Sequence, residues 1–422
     1  MKKIAYNLLL LLFLTVGTLS AATYNGTCGA NLSWILDTST GLLQITGSGA
    51  MDDYEIRQAP WYSYYSSLKN VSFPSGLTTI GNGAFYNCTQ LTGADIPEGV
   101  TRIGERAFES CSRMTSLTIP NSATSIGEKA FYTCKKLSVI VIPDGVNIIG
   151  QYAFGNCQEL ASITIGNGVT TIGEYAFQGC NALETVVMGN SITSIGQSAF
   201  NNTAIYLNTN NWASGVLYIG DYLIKAQAAQ ISSSYSIKNG TKLIADQAFW
   251  QCTNLTSVTI PNSVKYVGEM AFESCRMQSV SLDGVLSIDT RAFAFCSQLT
   301  TLELGSALNY IDILAFTGCN ALTSVTCMAV NPPALGTYDA NGTFCGAFNG
   351  VNCATIPLYV PSESVTLYQT ADQWKDFNIQ AISTAIPTIE SEQTTDAKII
   401  RDGNLYIIRD GNTYTPTGVQ VK

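Results

Sequence analysis

The sequence predicts an α/β solenoid. Short repeats stack along one direction with a parallel sheet on one side, an antiparallel β-hairpin covers the first repeat, and a small β appendage closes the C-terminus. Three observations carry this. The dipeptide Ala-Phe recurs at a fixed step of 23 residues from Ala84-Phe85 to Ala199-Phe200. Within each copy a few apolar residues alternate with polar ones and are then followed by turn residues. The composition fits: 46% of the 422 residues are hydrophobic but only 12% are charged, so the surface must be built from neutral polar side chains.

The same composition excludes several functions. The chain contains no histidine, which removes Ser-His-Asp and Cys-His catalysis, imidazole acid–base chemistry and His-ligated metals. Its formal charge is −9 and no basic stripe is visible, so phosphate-driven nucleic-acid binding has no footprint. No cofactor motif and no C-x-x-C metal or redox pair is present, so neither a cofactor nor a metal is expected.

Residues 1–22 read as a secretory signal peptide. Lys2 and Lys3 precede an apolar run from Leu8 to Leu14, and small residues end at Ser20-Ala21-Ala22. No later apolar stretch is long enough to span a bilayer. Residues 23–66 read as an N-terminal cap. Leu32, Trp34 and Leu36 alternate, Thr38 to Gly41 can turn, and Leu43 and Ile45 alternate again, which is a hairpin pattern. Tyr54, Trp61, Tyr62, Tyr64 and Tyr65 follow as an aromatic cluster, suited to packing on the open end of a repeat stack.

Residues 67–382 form the solenoid. In the copy Leu160 to Cys180, Leu160, Ile163 and Ile165 follow the L-x-x-L-x-L spacing of a leucine-rich repeat. Asn167-Gly168 supplies the turn, Val169 and Ile172 return inward, and Ala176, Phe177 and Cys180 can share the core side of one helical turn. The dipeptide returns at Ala248-Phe249, Ala271-Phe272, Ala292-Phe293 and Ala315-Phe316, with Ala347-Phe348 as a decayed copy. Three residues after Phe, nine copies carry Cys, and copy six carries Thr203. Parallel neighbours point their side chains the same way, which is poor disulfide geometry, so the expectation is a ladder of small buried thiols. Cys345 and Cys353, eight apart in a Gly-rich loop, could bridge.

The step from Ala199-Phe200 to Ala248-Phe249 is 49 residues, about one repeat plus 26 inserted residues, and marks an insertion at about 201–233. It contains Tyr206, Trp212, Val216 to Ile219 and Tyr222 to Ile224, with a turn at Gly220-Asp221. A protruding hairpin fits this pattern. Two roles stand open: a functional loop interrupting a regular scaffold, or a spacer whose aromatics pack on neighbouring repeats. Residues 383–397 read as a linker. Residues 398–422 read as a β tail of two or three short strands, with turns at Asp402-Gly403 and Asp410-Gly411.

The motif I-P-x-G-V-T-x-I-G-x-x-A-F-x-x-C, seen from Ile96 to Cys111, resembles the BspA-type bacterial leucine-rich repeats. Cys28-Gly29 through Asp37 and Leu43 through Tyr54 are similar to the leader of those proteins, and Leu358 to Phe377 to their closing unit. The tail resembles the C-terminal sorting tails of secreted Bacteroidetes proteins. The resemblance implies a secreted or surface-exposed bacterial protein. Some members adhere to host or partner-cell proteins, and the family has no common catalytic residues.

The expected function is therefore protein–protein binding or adhesion without catalysis, through a protein partner such as a host or neighbouring-cell surface protein. The outward strand positions are a neutral hydroxyl face: Ser116, Thr118, Ser162, Thr164, Thr185, Ser257, Thr259, Ser279, Ser281, Thr301, Ser324 and Thr326. Partner contacts are expected instead from Tyr206, Trp212, Tyr218 and Tyr222, because Tyr and Trp dominate interface energetics. Excising the insertion is expected to leave the stack largely intact. The rival readings are a glycan-acting carboxylate enzyme, with Asp52, Asp53 and Asp372 as the acids, and a structural surface spacer.

Overall fold

The computed structural model describes residues 22–382, together with 396–401, 404–409, 412–414 and 420–421. The signal-peptide reading up to residue 21 and most of the linker reading, 383–395, lie outside the described residues. The described chain forms two units, one ending at Ala381 and one beginning at Ile382.

In the first unit every coil of the repeat contributes two short strands, so two parallel ladders form where the sequence suggested one sheet. The first ladder takes the L-x-L segments, such as Val139–Ile142 paired with Ser162–Ile165 and then with Thr185–Val187. The second takes the T-x-I-G segments, such as Ile148–Ile149 paired with Thr171–Ile172 and then with Ser194–Ile195. Inward residues of both ladders are buried, as Ile163, Ile165 and Ile172 show. In most coils a glycine follows the second-ladder isoleucine, and it is there for space. A Cβ on Gly150 would meet the carbonyl carbon of Gly127, in the preceding coil, at 2.6 Å.

The third side of each coil is a turn rather than the helical turn expected, so the α content is slight. Tyr152 and Asn156, two residues either side of Phe154, take left-handed φ of 55° and 57°. That conformation costs roughly 1–2 kcal/mol for an L-residue. What offsets it is hydrogen bonding along the stack. The N–H groups of Tyr152, Phe154 and Asn156 donate to the carbonyls of Glu174, Ala176 and Gln178 in the next coil, at 2.9, 2.8 and 2.7 Å.

The Phe column runs through the core. Phe85, Phe108, Phe131, Phe154, Phe177 and Phe200 stack with centroid spacings of 4.9 to 5.7 Å. A second column holds Phe249, Phe272, Phe293, Phe316 and Phe348 at 4.9 to 5.3 Å. Both outer ends are closed by aromatics. Trp61 is fully buried, stacks on Phe85 at 5.5 Å and donates its indole N–H to Ala84 O at 2.7 Å. Trp374 and Phe377 meet Phe348 edge-on at 5.8 and 5.1 Å.

The cap is the expected hairpin plus one more strand. Thr23–Gly29, Leu32–Asp37 and Leu42–Ala50 pair antiparallel. The last of these starts both ladders: Leu42 to Gln44 pair with Asn70–Ser72, and Ser48 to Ala50 with Gly76–Ile80. Gly47, at φ 103°, lies between the two pairings, where a Cβ would meet Asn31 O at 2.0 Å.

The second unit is a four-stranded antiparallel sheet in chain order: Asp396–Arg401, Asn404–Arg409, Asn412–Tyr414 and Gln420–Val421. It has one strand more than the tail's sequence suggested.

Candidate interaction surfaces

The insertion is not a protruding hairpin. Val216–Ile219 and Tyr222–Ala226 pair antiparallel, and the second of them joins the second ladder as a parallel neighbour of Leu243–Ile244. Leu223 thus occupies an isoleucine slot of the ladder. Strand alternation then sends the hairpin's side chains to opposite sides. Leu217, Ile219, Tyr222 and Ile224 pack into the core of the first stack, and Val216, Leu223 and Ala226 into that of the second. The hairpin is a septum between the two Phe columns.

This placement separates the four expected contact residues. Tyr222 is 2% exposed, and its hydroxyl donates to Gly189 O at 2.6 Å, so it belongs to the core. Its polar tip is satisfied and its ring is covered, which removes it from the surface. Tyr206, Trp212 and Tyr218 are half-buried. Trp212 packs edge-on to Tyr206 at 5.0 Å and donates its indole N–H to Tyr206 O at 2.7 Å. Tyr218 shares a hydroxyl–hydroxyl hydrogen bond of 3.1 Å with Tyr235. Tyr206 and Trp212 thus form one aromatic pair, and Tyr218 lies apart from it on the hairpin.

The outward face of the first ladder carries the expected hydroxyls, but it is not uniformly polar. Val139, Val141 and Val187 are 60%, 60% and 52% exposed. Register explains why: Val139 faces Ser162, and Val141 lies in one row with Thr164 and Val187. The repeat step alone would have located them, since they fill the slots of Ser162, Thr164 and their neighbours. The coil after Val187 carries Tyr206 and Trp212. It is tied to the valine coil by Ile205 N–H donating to Leu183 O at 2.9 Å. Val187 and the aromatics therefore occupy consecutive coils, with Val139 and Val141 two coils before Val187.

The carboxylates of the enzyme reading are not brought together. Asp52 and Asp53 sit at the first coil and Asp372 beyond the last. Partial burial of Asp53 works to raise its carboxyl, but the Asn82 N–H and the Arg102 guanidinium, both at 2.8 Å, hold it below the ordinary range. The hydrogen bond from Lys375 does the same for exposed Asp372. Both are ion-paired surface acids.

A different set of acids is perturbed. Burial pushes Asp246 up to about 8, the Glu269 N–H opposes this, and the Asp289, Glu269 and Glu174 charges add to it. Asp289 is pushed up to about 6, again chiefly by burial. Asp289 stands where most coils place the glycine, so its side chain enters a site built for none. The sequence signal was there, as an acid in a glycine column. The Asp246 carboxylate accepts the Glu269 N–H at 2.9 Å, a contact between adjacent coils. Among the described residues no three His, Cys, Asp or Glu side chains converge as a metal would need.

All thirteen cysteines are free thiols, Cys345 and Cys353 included, and these two are the half-buried ones. The ladder thiols are buried and do more than fill space. Seven of them, Cys157 among them, hydrogen-bond to a Phe carbonyl of the preceding coil.

The sequence matches the family described as the BspA-type leucine-rich repeat region in six copies, over residues 55–146, 103–230 and 226–332. No curated protein matches it. Among solved structures, it is similar to a leucine-rich cell surface protein from Faecalibacterium prausnitzii, at 25% identity and TM-score 0.36, over 72% of this chain and 94% of that one. A leucine-rich repeat protein from Eubacterium ventriosum shares 22% identity at TM-score 0.41, over 88% and 99%. A pneumococcal vaccine antigen shares 17% identity at TM-score 0.36, over 85% and 98%.

Proposed function

The chain belongs to the BspA-type leucine-rich repeat family, and from that premise we propose that it is a secreted or cell-surface adhesion protein that binds a protein partner and performs no catalysis. The observation that carries this is the outward face of the first ladder. Val139, Val141 and, two coils on, Val187 are left in water within a field of Ser and Thr, and the coil after Val187 carries Tyr206 and Trp212. Exposed apolar side chains grouped inside a polar rim are the anatomy of an interaction site. Tyr206, Trp212 and Tyr218 are proposed as contacts at its edge. Secretion rests on the N-terminal sequence pattern. Among the described residues no helix is long and apolar enough to cross a membrane.

The test is binding of labelled protein to host epithelial cells and to neighbouring bacterial species, beside a V139S/V141S/V187S variant. The reading expects saturable, protease-sensitive binding that the variant loses while its melting curve is unchanged. Equal binding by the variant would move the interface elsewhere. Failure to bind any cell or protein would end the adhesion reading.

A further inference from the structure

We propose that the cleft beside the last repeat accepts a basic side chain, arginine or lysine, from a protein partner. This rests on the protein-binding reading above and adds a second site and its chemistry. The step from Ala315-Phe316 to Ala347-Phe348 is 32 residues, nine more than the repeat. The extra chain builds a tight hairpin turn. Asp339 N–H donates to Thr343 O at 2.9 Å and Cys345 N–H to Thr337 O at 2.8 Å, while the Asp339 carboxylate accepts the N–H groups of Asn341 and Thr343. The turn presents Tyr338 and Phe344 edge to face at 5.9 Å, yet 64% and 56% exposed. Two aromatic rings held in a defined geometry and left in water are an unspent source of contact energy.

Behind Phe344 lies a cleft of about 280 Å³ whose walls include Val351, Cys353, Asn349, Gln373 and Asp376. Gln373 is committed on both ends: its oxygen accepts Ala347 N–H and its amide donates to Gly336 O, each at 2.9 Å. The Asp376 carboxylate has no hydrogen-bond or ion-pair partner among the described residues. The cleft therefore offers an aromatic rim, an apolar wall and one free negative charge. An arginine or lysine matches all three. Its aliphatic stem covers Val351 and Cys353, while its cation lies between the Phe344 ring and Asp376. The surroundings have the complementary sign. Residues 331–382 contain Asp339, Glu363, Asp372 and Asp376 but only one cation, Lys375, already bonded to Asp372 at 2.7 Å.

The test measures binding of a fluorescent hexa-arginine peptide to the purified protein, with hexa-glutamate as control. Asp376→Asn and Phe344→Ala should each weaken hexa-arginine binding about tenfold, the order expected for one charge-assisted contact. Glu303→Gln, an exposed acid on the first ladder, should leave it unchanged. Both cleft residues are exposed, so melting curves should not move. No binding by the wild type, indifference to both cleft variants, or an equal loss in Glu303→Gln would overturn the proposal. Such a result combined with intact cell binding removes this inference alone. Absent cell binding with a cleft-dependent hexa-arginine signal removes the adhesion reading alone.

Discussion

The thiol of Cys157 donates to the backbone carbonyl of Phe131, one coil back, at 3.3 Å. The same carbonyl accepts the N–H of Cys134 in its own coil at 3.1 Å. Seven Phe carbonyls receive such a pair, one donor from their own coil and one thiol from the next. The two ladder cysteines without such a bond are Cys88 and Cys252, the first of each stack, which have no stacked Phe coil before them. A cysteine fits because it is small enough for the core and still carries a weak donor.

Phe154→Ala should therefore cost about 3–5 kcal/mol, through transfer and cavity terms. Cys157→Ala should cost about 1–2 kcal/mol, because it removes a sulfur and one of two donors to a buried carbonyl. Denaturant unfolding of the two variants checks the order. Thiol labelling checks the burial: in the native protein Cys345 should react first and half-buried Cys353, whose thiol burial pushes up to about 11, more slowly, while the other eleven should react only after denaturation.

Stability should fall with rising pH because of Asp246. Its folded-state value lies near 8 against an ordinary 3.8, so the fold favours the protonated acid. The favourable contribution is complete below about pH 3.8 and is lost as pH rises through about 8. Asp289, near 6, adds to the lower part of that window. Asp246→Asn should flatten the dependence and stabilise the protein at pH 8 by on the order of 2–4 kcal/mol. Parallel pH profiles of the denaturant midpoint in both proteins would assign the effect to other groups.

Trp61→Ala should open the first stack. The indole covers Phe85 and bonds Ala84 O, so its loss exposes the end of the Phe column and leaves a buried carbonyl short of its donor. A loss of about 3–5 kcal/mol is expected, with faster hydrogen exchange confined to the coils around Phe85 and Phe108. Uniform exchange along the stack would mean that the cap does not act locally.

The repeat, its inward residues and the thiol positions were legible in the sequence because a fixed step of 23 residues repeats every packing constraint. The second ladder was harder to read, since two-residue strands such as Thr171–Ile172 show no alternation of their own. The turn side was misread as helical because Ala176, Phe177 and Cys180 share helical spacing, whereas left-handed Tyr175, at φ 57°, sets the actual path. The insertion misled for a different reason. Alternation in Val216 to Ile224 signals a strand with two unlike faces, and here both faces are buried against different cores. The one local clue was Thr203 in the cysteine slot. Its hydroxyl donates back to Phe200 O at 2.7 Å and accepts Tyr206 N–H at 3.2 Å, ending the first stack and starting a short helix, Ala204–Leu207. At the surface, Val139 and Val141 are readable by register, since they take the slots that Ser162 and Thr164 fill one coil later.

The central claim is that the insertion hairpin joins two stacks into one folded unit. Excision of Ala204 to Ser232 tests it most directly, followed by circular dichroism and denaturant unfolding. The septum account predicts exposure of both inner ends of the Phe columns, a lower midpoint and loss of the single cooperative transition. Leu223→Ala should reproduce part of this, at about 2–5 kcal/mol. An excised protein that keeps the wild-type midpoint and a single transition would contradict the claim and return the hairpin to the status of an appendage.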